Sequence, residues 1–123
     1  MSNNFELLQL ATLRLSQDGP IKDRLAEAYA AHLVEVETDQ LPETVRAQFG
    51  ALCAAMHRER PQARESEVRA SVRKMSAHEA SQYAALVVRV FVAMARAEAS
   101  SPAAAPRVVR STAPVVKLFA SEG

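Results

Sequence analysis

Apolar positions along the first hundred residues recur at helical rather than strand spacing. Phe5, Leu8, Thr12 and Leu15 lie on one face of a helix predicted from about Asn4 to Ser16, and Leu7, Leu10 and Ala11 widen that stripe. Asp18-Gly19-Pro20 stops it. A second helix has Pro20 in its first turn, with Asp18 or Gly19 as cap, and Ile21, Leu25, Ala28, His32, Leu33 and Val36 keep the spacing to about Val36. Glu35, Glu37 and Asp39 follow, an acidic cluster that a helix C-terminus disfavours and that reads as a solvated loop. A third helix starts at Pro42-Glu43 with a stripe of Val45, Phe49, Leu52 and Met56, Cys53 lying beside it.

A polar loop from His57 to Arg64, broken by Pro61, leads to a short fourth helix with Val68, Val72 and Met75 on one face. Ser76-Ala77-His78-Glu79 reads as a capping box, in which the Ser76 hydroxyl takes the Glu79 amide and the Glu79 carboxylate reaches back. The fifth helix that begins there contains Leu86, Val87, Val88, Val90, Phe91, Val92 and Met94. Gln82, Arg89 and Arg96, spaced by seven, are its narrow polar stripe. A helix apolar on most of its circumference is buried on most sides, either at the centre of the bundle or against a second copy in a homodimer.

Composition agrees with helices packed closely together: Ala is abundant, there is no Trp, and there are three Gly. The expectation is an all-α fold, a compact bundle of about five helices over residues 1–99, with an Ala/Pro-containing linker and an extended, flexible C-terminal tail over residues 100–123. Residues 1–44 carry eight acids and three bases, residues 45–123 six acids and twelve bases, so halves of −5 and +6 lie behind the net +1. The plain reading of this polarity is two solvated faces of opposite sign. Twelve Arg against three Lys suggest a GC-rich bacterial source. A single cysteine, no signal-like N-terminus and no apolar run long enough for a bilayer predict a cytoplasmic protein without membrane contact.

Chemistry is sparse. Gly19, Gly50 and Gly123 cannot build a phosphate-cradling loop, and His32, His57 and His78 lack metal-ligand spacing. Ser76, His78 and Glu79 are too close in sequence at a helix start to take up a catalytic triad's geometry. Cys53 reads as a small core residue and His32 as a packed boundary histidine. The expectation is a chain that is not an enzyme, with no cofactor and no metal.

Two segments suggest partners instead. Arg58, Arg60, Arg64, Arg69 and Arg73, with Lys74, form the strongest basic stretch, opposed by Glu59, Glu65 and Glu67. Arginine suits phosphate contacts, and this stretch supports a dimeric nucleic-acid-binding regulator as the alternative reading. The tail carries Val115-Val116-Lys117-Leu118-Phe119 after a Pro/Ala spacer, a basic-apolar segment fit to add a strand or fill a groove. It resembles the peptide by which bacterial proteins dock on the replication sliding clamp, a motif that starts with Gln and ends in Leu-Phe. Leu118 and Phe119 match its hydrophobic end, while Val115 stands where Gln is expected. The first reading is therefore a small regulatory or adaptor protein that binds a protein partner through Val115, Val116, Lys117, Leu118 and Phe119 and through the fifth helix.

Overall fold

The computed structural model describes residues 3–100, which form five α-helices with two 3-10 turns and, among those residues, no strand. The tail segment from residue 101 lies outside them. The helices are α1 (Asn4–Leu15), α2 (Ile21–Ala31), α3 (Glu43–Met56), α4 (Glu67–Lys74) and α5 (Ala77–Ser100), and the 3-10 turns Leu33–Glu35 and Thr38–Gln40 join α2 to α3. Helix α5 packs against α1, α2 and α3, while α4 closes the seam between α2 and α3. The core they enclose holds Leu8 from α1, Leu25 from α2, Phe49, Leu52 and Met56 from α3, and Val87 and Val90 from α5, all fully buried. The predicted stripes of the third and fourth helices are buried at every position.

The helix ends show how local chemistry sets the boundaries. Helix α1 stops at a turn where Gly19 takes φ +112°, a conformation that a Cβ would strain. Its last carbonyl, Leu15 O, accepts from the Arg24 guanidinium of the next helix, which also donates to Gly19 O in the turn. Pro20 and Pro42 both sit one residue before their helices in extended backbone, not within the first turn, and neither helix has a side-chain cap. Helix α4 is capped by Ser66, whose Oγ accepts the Arg69 amide at 3.1 Å.

Two expectations need correction. The second helix ends at Ala31, because His32 takes φ −132° and ψ −53° and the chain enters a 3-10 turn in place of continuing to Val36. The cause is a side chain far away in sequence. Asn4 is buried at the start of α1, where its Nδ2 donates to Glu37 O at 2.8 Å and its Oδ1 accepts the Glu37 amide at 2.9 Å. Asn4 thus binds both backbone groups of Glu37, whose carbonyl also accepts the Gln40 amide of the next 3-10 turn at 2.9 Å, and Val36 and Glu37 are extended while Leu33 and Val36 still reach the core. The Ser76 cap forms as predicted, with the Glu79 amide donating at 2.9 Å. Its reciprocal half is replaced: the Glu79 carboxylate accepts instead from Arg58 Nη2 at 2.9 Å, which ties the loop after α3 to α5.

Helix α5 is buried on one side only. Ala80, Val87 and Val90 are in the core and Phe91 stacks obliquely on Phe5 of α1 at 5.5 Å, but Val88 and Val92 remain about 39% and 40% exposed. No helix among the described residues is long and apolar enough to cross a membrane.

Replacing Asn4 with Ala is expected to lower stability by about 1–2 kcal/mol in urea unfolding, because the Glu37 amide loses its acceptor and the Glu37 carbonyl one of its two donors. Amide exchange in the same variant should accelerate at Glu37 ahead of the helices.

Candidate functional site

The described residues place the basic stretch of the sequence mostly in internal ion pairs. Arg58 meets Glu79 as above. Arg69 reaches across from α4 to Asp23 at 3.6 Å and Glu27 at 3.7 Å on α2, and Arg73 holds Glu65 with Nε at 2.6 Å and Nη2 at 3.0 Å. Arg60 and Arg64 are exposed and make no ion pair among the described residues. Of the acids expected to oppose this stretch, Glu65 does so, whereas Glu67 turns to His57. The pairing of α2 with α4 escaped the sequence reading, although Asp23 and Glu27, one turn apart on a helix, were the signal for an acidic row facing outward from α2.

These pairs set the carboxyl chemistry. The hydrogen bond from Arg14, helped by the nearby charge of Arg69, holds the Glu27 carboxyl below the usual carboxylate range despite some burial. The hydrogen bonds from Arg73 do the same for Glu65.

A second constellation joins three elements that no local sequence pattern connects. Tyr29 of α2 is buried, and its hydroxyl lies 3.0 Å from His57 Nε2 at the end of α3; His57 Nδ1 lies 2.8 Å from Glu67 Oε1 at the start of α4. A carboxylate can only accept, so Nδ1 donates to Glu67 and, in the neutral ring, Nε2 accepts the tyrosine O–H. The rings meet edge to face at 5.4 Å. Cys53, one turn back on α3, adjoins the same hydroxyl. Burial pushes its thiol up. Burial also pushes the Tyr29 hydroxyl well above its ordinary value, with the neighbouring thiol adding to the rise. Both groups are thus protonated at neutral pH, and the arrangement clamps α2, α3 and α4 together without activating a nucleophile. The inert reading of Cys53 fits this geometry.

Two open clefts mark the surface. One, about 440 Å³, lies between α2 and α4 over Ala26, Ala30, Ala31 and Val68, with the Glu27–Arg69 pair at its rim. The other, about 330 Å³, lies where α1 and the start of α2 meet α5, over Leu15, Ile21 and Ala84, and opens beside Val88. Thr12, on the wall of this second cleft, has a buried hydroxyl with no partner among the described residues. Neither cleft gathers a nucleophile with a base, and no group of three or more potential metal ligands occurs among the described residues. The tail candidates Val115, Val116, Lys117, Leu118 and Phe119 lie outside the described residues. Large apolar side chains stand exposed on α1 (Leu10 and Leu13), at the first 3-10 turn (Val34) and on the outer face of α5, where Val88 and Val92 are a turn apart and lie beside the second cleft. No family model, curated protein or solved structure matches the chain.

Changing Tyr29 to Phe should lower stability by about 1 kcal/mol. Because the folded carboxyls of Glu27 and Glu65 lie below their unfolded value near 4.5, the stability they supply is complete above that value and is lost as the pH falls through the folded ones. Urea midpoints followed from roughly pH 6 to pH 3 should therefore decline less steeply when both residues are changed to Gln.

Proposed function

We propose that the chain is a small non-catalytic adaptor or regulatory protein of the cytoplasm that binds another protein through the exposed face of α5. The tail segment Val115 to Phe119 is a second docking element in this reading. The observation that carries it is the exposure of Val88 and Val92 in the middle of a helix whose opposite side is core. Two β-branched side chains left on a continuous helix face beside an apolar cleft make a surface that a partner can cover. The clamp around Tyr29 and the ion pairs of α4 supply rigidity behind that surface, not chemistry.

The nucleic-acid reading has less to draw on. With Arg58, Arg69 and Arg73 committed to carboxylates, its phosphate contacts would rest on Arg60 and Arg64, and its signature would be a steep fall in affinity with salt.

The test is affinity capture from a nuclease-treated lysate of the source organism, with the full chain, a version ending at Ser100, Leu118→Ala with Phe119→Ala, and Val88→Asp with Val92→Asp. A protein recovered by the full chain and lost with the two aspartates, at unchanged helical content, is the expected result. Retention by the aspartate variant with loss in both tail variants would move the docking site to the tail. Capture abolished by nuclease alone would favour nucleic acid.

A further inference from the structure

We propose that the exposed face of α5 receives an amphipathic helix with an acidic flank, contributed by another protein; this rests on the adaptor reading above. The face is longer than its two valines. Ser81, Ala85, Val88, Val92, Ala95 and Ala99 follow one another at alternating spacings of four and three, the seam on which a second helix packs, and all but half-buried Ala95 are exposed. Side chains this small let another helix approach closely. The cleft below Val88 lengthens the same surface toward α1.

Charge selects the occupant. Arg89 and Arg96 border this seam seven residues apart, at equivalent places in successive heptads, and both are exposed. Six other arginines among the described residues, Arg14, Arg24, Arg46, Arg58, Arg69 and Arg73, are engaged by carboxylates or backbone carbonyls, whereas Arg89 and Arg96 have no partner there. A partner helix seated on the seam would bring its own flanking positions to these two guanidiniums, and Glu or Asp there completes the pairs.

The same row disfavours the other occupants. A second copy paired antiparallel through the seam would set Arg89 and Arg96 against their own counterparts. Paired parallel and in register, it would bring Ala84 opposite Arg89 and Phe91 opposite Arg96, and neither position offers a carboxylate. Residues 101–123 carry Arg107, Arg110 and Lys117 against Glu122 alone, so the chain's own tail brings more positive charge.

The experiment measures binding of the full chain to synthetic helices of about three heptads, apolar along one seam and flanked by Glu or, in the control, by Lys. The Glu-flanked helix should bind and the Lys-flanked one should not. Arg89→Glu with Arg96→Glu should weaken the first by about tenfold or more and transfer the preference to the second. Val92→Asp should abolish both while circular dichroism stays unchanged. Equal binding of the two helices, or no transfer of preference, overturns the proposal. So does self-association lost in Val92→Asp with neither helix bound, or retention of duplex DNA that the arginine changes remove with neither helix bound. If the lysate partner is lost with Val88→Asp and Val92→Asp yet neither helix binds, the acidic occupant is wrong and the adaptor reading stands; if the lysate partner survives those changes, the α5 face is not the docking site, this proposal falls, and the adaptor reading rests on the tail alone.

Discussion

Helices α1 to α4 are 12, 11, 14 and 8 residues long, at or below the length at which an isolated helix persists in water, so their order depends on burying apolar surface against one another and against α5. Ala80, Val87 and Val90 give α5 a flat inner face on which α1, α2 and α3 lie, and Phe49 with its neighbours fills the space beneath. Everything else is arranged around this shared core. The Arg24 cap, the Tyr29 clamp and the α2–α4 ion pairs each join segments that the core has already brought close.

The inward faces were legible because helical spacing reports which side of an element is dry. Val45, Phe49, Leu52 and Met56 needed no more than their spacing, and the Ser76 cap no more than its neighbours. What escaped is what depends on a meeting between distant residues. Nothing local in the sequence says that Asn4 will seize the Glu37 peptide and end the second helix early, or that Glu79 will serve Arg58 instead of its own helix start. The Tyr29–His57–Glu67 contact draws on three elements and was equally hidden. Periodicity gives the direction of a side chain but not the identity of the group across from it.

The opposed charges of the two halves take on a different meaning in the fold. Asp23 and Glu27 from the acidic half meet Arg69 from the basic half, so part of the polarity is neutralised along the α2–α4 seam and not displayed as two poles. The charge left over is distributed unevenly. Glu35, Glu37 and Asp39 stay exposed around the second 3-10 turn, Arg60 and Arg64 in the loop before α4, and Arg89 and Arg96 beside the bare side of α5. Burial and pairing together leave that side of α5 as the place where exposed apolar groups and unpaired cations coincide.

Helix α5 also has a mechanical side. At 24 residues it is about 36 Å long, and its N-terminal end is pinned by the Ser76 cap and the Arg58–Glu79 bridge while Arg96 to Ser100 stand clear of the bundle. Only its last five residues project beyond the core, and whatever is joined after Ser100 starts from that tip. A molecule held by that continuation is kept at a local concentration set by its point of attachment. The same helix that leaves Val88 and Val92 exposed therefore also fixes where the chain continues from the bundle.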